Sequence, residues 1–566
     1  MRARLPRRVA ALASAALLVT AAACTGDEPD PPGPDQAHTL VFGLPSEPPV
    51  LDGALLSDPE ALRVVGQVFE GLVRTESGST EVEPALASSW DVSPDGTAYT
   101  FSVRDDVTFH DGTSLDAAAV CYNFDRWYHF TGVLQSPDVS ASWQDVFGGF
   151  AEDAEDSADA PETGDSGEAG SPAPSLYVSC EERDESTAVV TLSSPSGTFL
   201  SALSLPSFSL ASPTALKRYD ADAVAGSPDA PRFTGTFGTQ HPVGTGPFAF
   251  RSWDRGDRLV LERYEDYWGD TAVLDRLVFR LLPEDAARAQ ALRSGDVDGY
   301  DRVERSEASA LSADGYQVVR RPPLSVGYLA FNTATPPLDE PRVRQAIAHA
   351  VDREALVESA YPPSARVARE FVPPPLWGYE PEVPAYDHDP ATARRLLSES
   401  GVAEPSIALW YPPVADPLSQ PDPQAVAERV ADDLEAVGFT VELRTAPTLA
   451  RYRETVERGD APLHLDTRTS TVPDPHEFLG VLFGGDDAAW GRLDAGLTAS
   501  LQAAAAEPDQ ERRKESYAEL NVRVMELLPG LPYVYPTSSV ALAPDVDGFV
   551  PSPGGTERFA DVSVDD

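Results

Sequence analysis

The chain has 566 residues, with 43 Lys and Arg against 91 Asp and Glu, a formal net charge of −48 and 42% hydrophobic residues. At roughly 100–200 residues per domain, this length predicts two to four domains. The hydrophobic share is normal for a globular protein and excludes wholesale disorder. So acidic a chain lacks the basic face that a phosphate backbone requires, which excludes nucleic acid as a partner.

The first 23 residues are typical of an export signal. Four arginines stand among the first eight residues, and the apolar run that follows is too short to cross a membrane comfortably. Small residues then precede Cys24 in a pattern that resembles a bacterial lipobox. The pattern predicts a lipoprotein signal peptide at 1–23 and a lipid on Cys24. The alternative is cleavage by an ordinary signal peptidase, in which case the position of Cys24 is incidental and it carries no lipid.

Residues 24–37 are rich in proline and acidic residues, which predicts a flexible tether. Removal of the signal would leave 39 basic residues against 91 acidic ones, a net charge of −52. No later segment reaches about 18 consecutive uncharged apolar residues. We therefore expect the mature chain to be held at the outer face of the cell membrane by lipid alone.

Beyond the tether, strand patterns alternate with helical ones. Strands are predicted at Thr39–Leu44, Thr97–Val103, Arg258–Arg263 and Arg276–Leu282. Helices are predicted at Glu60–Val73, Arg342–Ser359, Pro390–Ser400, Gln424–Val437 and Glu511–Leu528. Strands interleaved with helices predict α/β architecture.

One segment interrupts this pattern. Residues 148–175 are acidic, rich in Pro, Gly and Ser, and almost free of large apolar residues, which predicts a disordered surface insertion. Lipidation of Cys24 would leave Cys121 and Cys180 as an even pair in an oxidising compartment. This count predicts a disulfide that pins the base of the insertion, with two buried thiols as the alternative.

The patterns typical of catalysis are missing. The eight histidines never stand at a metal-ligand spacing such as i, i+4, so we expect no metal site and no cofactor. There is no Gly-x-Ser-x-Gly elbow. The glycine-rich stretch at 244–247 lacks the lysine of a phosphate-binding loop and is interpreted as a turn. We therefore expect a protein that is not an enzyme.

An ordered series of short motifs does stand out. They are Leu51-Asp52, VFEGLV at 68–73, PALASSW at 84–90, SPDGTAYTF at 93–101, VTFHDGT at 107–113, PVGTGPF at 242–248, YEDYWG at 264–269, LRSGDVD at 292–298 and RVRQAIAHAVDR at 342–353. Together they closely resemble the family 5 extracellular solute-binding proteins, which are dipeptide, oligopeptide and nickel receptors of ABC importers. The resemblance runs from about residue 40 to residue 550.

The resemblance implies a two-lobed α/β fold of the periplasmic-binding-protein type II kind, with a hinge and an extra domain inserted in the first lobe. On this template the first lobe would span 38–72, 197–284 and 533–566. The inserted domain would span 73–196, and the second lobe 285–532. A solute would lie between lobes that close by hinge motion.

The function implied is an extracytoplasmic lipoprotein that captures peptides or peptide-like solutes and delivers them to an ABC permease in the membrane. We expect a monomer. Three alternatives stay open: a sensory or adhesive lipoprotein that reuses the fold, an extracellular hydrolase, and an importer receptor for a non-peptide solute such as a nickel complex or a sugar.

Two departures from the dipeptide-binding pattern bear on the ligand. Dipeptide-binding members carry an acidic residue for the peptide amine just before an Asp-Pro, and Thr471 fills that position here. They also carry an arginine for the peptide carboxylate a few residues after a Trp, where this chain has Asp416. These departures predict a receptor for longer peptides, or for a neutral to cationic peptide-like solute, with Asp416 as the cation anchor.

Three further residues are candidates by the same resemblance. Trp410 and Tyr411 would pack on the solute, and Asn332 would hydrogen-bond it from a strand edge. The alternative interpretation is that Trp410 and Tyr411 are core residues.

Overall fold

The computed structural model describes residues 38–151, 174–228, 230–485 and 487–565. The predicted export signal, Cys24, the predicted tether and most of the acidic segment lie outside the described residues. The described chain is α/β, as the sequence predicts, and contains two large mixed sheets and a smaller antiparallel one.

The first large sheet is built around Thr39–Leu44, whose alternate residues Leu40 and Phe42 are fully buried. This strand pairs in parallel with its neighbours on both sides. The seven strands follow the order Phe248–Asp254, Arg258–Arg263, Arg276–Leu281, Thr39–Leu44, Gly299–Tyr300, Ser539–Leu542 and Gln317–Arg320.

The second large sheet is built around Ser325–Phe331, whose residues after Ser325 are all buried. Such a near-continuous apolar run is typical of a strand covered on both faces. The six strands follow the order Arg366–Val367, Gly530–Tyr535, Ser325–Phe331, Leu463–Thr469, Ser406–Trp410 and Thr440–Arg444.

The third sheet lies in the segment expected to be an inserted domain. Its four antiparallel strands follow the order Ala87–Val92, Ala98–Val103, Thr187–Leu192 and Tyr177–Asp184. Cys121 and Cys180 form a disulfide with their Cα atoms 5.1 Å apart. The bond joins a helix on one side of the acidic segment to a strand on its other side.

The remaining elements are short ribbons and helices. The two-stranded ribbons are Val73–Thr75 with Val82–Pro84, Val224–Ser227 with Ala230–Phe233, and Val546–Asp547 with Ser563–Val564. The described α-helices are Pro59–Val68, Ala117–Tyr128, Pro137–Phe147, Phe199–Leu203, Pro213–Arg218, Phe237–Gln240, Asp285–Ser294, Arg305–Ala313, Pro341–Ala350, Arg353–Ala360, Pro390–Ser400, Pro423–Val437, Leu449–Glu457, His476–Phe483, Ala495–Ala506 and Gln510–Leu527. The described 3₁₀ turns are Gly53–Leu55, Gly132–Gln135, Pro206–Phe208 and Phe559–Asp561.

Two predicted helices differ from the structure. The helix predicted at Arg342–Ser359 is two helices, because Val351 is extended and the side chain of Asp352 accepts a hydrogen bond from the amide of Ala355, which caps a new helix. The helix predicted at Glu60–Val73 ends at Val68, because the next residue is extended and the chain turns into a ribbon strand.

The sheets also divide the chain differently from the expected lobe boundaries. Strands Gly299–Tyr300 and Gln317–Arg320 belong to the first sheet, although residues from 285 onward were expected in the second lobe. The chain was expected to return to the first lobe at residue 533. Strand Gly530–Tyr535 instead continues past that position and belongs to the second sheet. Within the described residues, the chain passes between the two large sheets twice, at 321–324 and at 536–538.

The disulfide closes a loop of the inserted segment, since its cysteines are 59 positions apart. Replacement of both Cys121 and Cys180 by Ala should lower the free energy of unfolding by about 2–4 kcal/mol, because the unfolded chain regains the freedom that the bond removes. Chemical denaturation of the variant beside the oxidised wild type measures this. An unchanged free energy of unfolding would contradict it.

Candidate functional site

A cavity of about 320 Å³ lies between the two large sheets. The second sheet contributes two loops, at 416–419 and 469–471. These loops follow strands Ser406–Trp410 and Leu463–Thr469, which pair in parallel. Because parallel strands end at the same edge of a sheet, residues far apart in sequence meet there.

The opposite wall comes from the first sheet and from the chain crossings. Helix Pro59–Val68 and the residues after strand Gly299–Tyr300 form this wall with the C-terminal segment at 553–555. Residues 321–322 and 536–538 line the cavity where the chain passes from one sheet to the other. The cavity is therefore a cleft between two bodies that are joined at two crossings.

A cluster of buried ions forms part of the cleft wall on the first-sheet side. Arg63 donates to Glu60, Asp301 and Glu557, with 2.8 Å from its Nε to Glu557 Oε2. Arg321, on the first crossing, donates to Asp301 across 2.7 Å and also to Glu557. Two guanidinium groups thus share three carboxylates.

The electrostatics of the cluster follow from its burial. Burial opposes charge on Asp301, yet the guanidinium groups of Arg321 and Arg63 hold its pKa well below the usual range. The pKa of Glu557 is lowered by the same two arginines against its own burial. Burial raises the pKa of Glu60 in spite of Arg63 beside it.

A third arginine completes the charge balance. Arg302 places its Nε 3.2 Å from Glu60 Oε1, and its side chain is 36% exposed. The cations that line the cleft are Arg63, Arg302 and Arg321, and each has a carboxylate partner. The first-sheet wall therefore offers the cleft little net positive charge.

Asp416 lies exposed on the second-sheet wall. Its Oδ1 accepts the backbone amides of Leu418 at 3.0 Å and Ser419 at 2.8 Å, which fixes the turn of the loop. No ion pair of Asp416 is present among the described residues, so that part of the chain leaves its negative charge uncompensated.

Thr471 lines the same cleft as Asp416, so the structure brings these two predicted residues together. The hydroxyl groups of Thr471 and Ser419 make no hydrogen bond within the described part of the chain. Thr471 also lines an adjoining constriction. Both hydroxyl groups can therefore donate to or accept from a polar solute.

The structure does not bring Asn332 to the cleft. Its Nδ2 donates to the carbonyl oxygens of Gly459 at 3.2 Å and Ala488 at 3.0 Å, and its Oδ1 accepts the amide of Ala334 at 3.1 Å. The amide group is buried and joins these loops to the end of strand Ser325–Phe331. Its contacts are structural.

Trp410 and Tyr411 do not line the cleft either. Both are half-buried and pack against the core of the second sheet. The guanidinium carbon of Arg444 lies 5.9 Å from the centre of the Trp410 ring. The amide of Tyr411 donates to the Arg444 carbonyl at 3.0 Å. Their contacts are with the second-sheet core and with Arg444.

The residues that sequence reasoning missed are those of the ion cluster. Arg63 and Glu557 are 494 positions apart, and Asp301 is 238 positions from Arg63, so no local pattern connects them. The available signal was the pair Glu60 and Arg63 in a mostly apolar helix, at a spacing that places both side chains on one face.

Two sheets joined by two crossings, with a polar cleft between them, define a two-lobed solute-binding protein. Residues 81–490 match the family described as bacterial extracellular solute-binding proteins, family 5. The chain belongs to this family, a family of binding proteins. The resemblance of its motifs is thereby confirmed.

Similar proteins span nearly the whole chain. Heme-binding protein A of Haemophilus influenzae is 29% identical over 538 residues, covering 93% of this chain and 92% of its own. The dipeptide-binding protein of Escherichia coli K12 is 28% identical over 549 residues, covering 94% of this chain and 95% of its own. The structure of HbpA2 from Haemophilus parasuis superposes with a TM-score of 0.79 at 27% identity, covering 93% of this chain and all of that one.

The described residues lack a metal cluster and a membrane-spanning helix. No group of three or more His, Cys, Asp and Glu side chains comes together there to hold a metal ion. In the same residues, no helix has the length and apolar character that crossing a membrane requires.

The ion cluster makes a testable contribution to stability. Asp301→Asn should lower the free energy of unfolding by about 3–5 kcal/mol, because it leaves Arg63 and Arg321 with uncompensated buried charge. Denaturation in guanidinium chloride measures the change.

The matched control is Glu399→Gln, which breaks an exposed pair with Arg395 at 2.9 Å. This variant should change the free energy of unfolding by less than about 1 kcal/mol. Equally small effects of the two substitutions would show that the cluster does not stabilise the fold.

Proposed function

We propose that this protein is the capture receptor of an ABC importer, and that it binds peptides or peptide-like solutes in the cleft between its two lobes. The observation that carries the proposal is the uncompensated carboxylate of Asp416 in a cleft whose cations are all paired. Such a cleft attracts a protonated amine. The dipeptide-binding relative from Escherichia coli supports a peptide-like solute.

The amine would bind the Asp416 oxygen that the loop leaves open. Oδ1 already accepts two backbone amides, whereas Oδ2 has no partner among the described residues. The hydroxyl groups of Ser419 and Thr471 line the same cavity and would hydrogen-bond the polar backbone of the solute. A few placed polar groups in an enclosed cleft are what a binding site requires.

In this proposal the receptor is anchored outside the cell by a lipid on Cys24 and works as a monomer. The residues 24–37 would act as a tether that lets the lobes reach the permease. Closure of the lobes around a solute would produce the shape that the permease reads.

The first test is native mass spectrometry of the chain without residues 1–24, compared with its denatured mass. We expect a released mass envelope that fragments as peptides. A single non-peptide mass, such as a porphyrin or a metal complex, would be consistent with the receptor role but would show that the ligand belongs to another chemical class. Hydrolysis of the bound solute over time would favour an enzyme and contradict the proposal.

The role of Asp416 has its own test. Asp416→Asn keeps an Oδ1 acceptor for the loop amides and removes only the charge. It should weaken binding of a free-amine peptide by about 10-fold or more, since a charge-assisted hydrogen bond contributes about 1.5–3 kcal/mol. Isothermal titration calorimetry measures the affinity.

Two comparisons isolate the charge effect. Binding of the same peptide with an acetylated N-terminus should not change in Asp416→Asn. Asp184→Asn is the matched control, because Asp184 is exposed and also holds a turn, with Oδ1 3.0 Å from the amide of Ser186, but lies outside the cleft. Equal affinities of wild type and Asp416→Asn for the free-amine peptide would remove Asp416 from the site.

A further inference from the structure

The cleft continues into a second, smaller chamber. Thr471 and Gly554 line both the cleft and a constriction of about 30 Å³. Thr75, Ser204 and Thr556 line both the constriction and an inner chamber of about 90 Å³. The three cavities therefore adjoin in series. Hydroxyl side chains line the constriction that connects the cleft to the inner chamber.

The inner chamber is lined by an arginine, Arg558, that has no ion-pair partner among the described residues. Arg558 lines it and is half-buried, and among the described residues its guanidinium group has no carboxylate or carbonyl partner. A few other arginines with described side chains also lack a carboxylate or carbonyl partner. Each of these is exposed, whereas Arg558 is half-buried. In a chain with 91 acidic residues against 43 basic ones, a half-buried cation left unpaired is exceptional.

The other charges of the chamber are already engaged or lie at its edge. Glu70 accepts from Thr245 at 2.9 Å, Tyr267 at 2.7 Å and Trp268 at 2.8 Å. Arg74 pairs with Glu83 at 2.7 Å, and Glu76 is exposed.

The charge of Arg558 reaches into this chamber. Burial and the neighbouring Glu70 raise the pKa of the Tyr267 hydroxyl, and the positive charge of Arg558 opposes that rise. No group of the chamber neutralises Arg558 by direct contact within the described chain. Arg558 is therefore the cation of this chamber that is available to an anion.

We propose that Arg558 binds the carboxylate of the solute, while the amine of the same solute lies at Asp416. This inference rests on the proposed function, because it assigns the second end of a peptide-like ligand. A guanidinium group presents two parallel N–H donors to a carboxylate, and partial burial strengthens that contact. The hydroxyl groups of the constriction would hydrogen-bond the peptide units between the two ends.

The test compares alanine peptides of two to five residues, each as the free acid and as the C-terminal amide, by isothermal titration calorimetry. For the lengths that bind, wild type should prefer the acid by about 10-fold or more. Arg558→Gln should bind acid and amide equally, with the amide affinity of wild type. Arg276→Gln, which changes an exposed arginine outside the three cavities, should keep the wild-type preference.

The possible failures are distinguishable. Equal affinity of wild type for acid and amide would overturn the Arg558 assignment alone, and this comparison uses the wild-type protein only. A preference for the acid that survives in Arg558→Gln would overturn it as well. Binding of none of the peptides in either form would overturn the peptide ligand of the proposed function and, with it, this inference.

Discussion

The buried ion cluster of Arg63, Arg321, Asp301 and Glu557 connects parts of the chain that no single sheet joins. Arg63 lies on a helix of the first lobe, Arg321 lies on the first crossing, and Glu557 lies in the segment that follows the second crossing. Removing such ions from water costs several kcal/mol each, and only a complete set of partners offsets that cost. The cluster is therefore satisfied in one arrangement of helix, crossing and C-terminal segment, and this arrangement builds one wall of the cleft.

The same cluster determines the charge that the cleft presents to a solute. Three carboxylates use the guanidinium groups of Arg63, Arg302 and Arg321, so the first-lobe wall is close to neutral although arginines form much of it. Asp416 on the opposite wall has no such partner in the described chain. The charge that the cleft presents thus depends on which of its charged groups the protein has already paired, more than on how many it contains.

Local patterns predicted local structure well. The strand Thr39–Leu44 and the helix Pro390–Ser400 have their predicted bounds, because alternation and caps are read within a few residues. The lobe boundaries could not be read in this way, since Gly299–Tyr300 is two residues long and belongs to the first sheet only through distant partners.

Asp416 and Thr471 meet because two parallel strands end at one edge. Asn332 also stands at a strand end, but neighbouring loops cover it and use its amide.

The segment after the second crossing has two consecutive charged residues with opposite roles. Glu557 closes the ion cluster, whereas Arg558 lines the inner chamber without a partner in the described residues. Asp416 belongs to the second lobe and Arg558 to the first, so in the proposed binding mode a solute with both charges would contact both lobes. A ligand shifts a conformational equilibrium only by its difference in affinity for the two states. In this binding mode, opposite charges on separate lobes would create that difference for a zwitterionic solute, whereas a solute with one charge would bind one lobe in either state and favour closure far less.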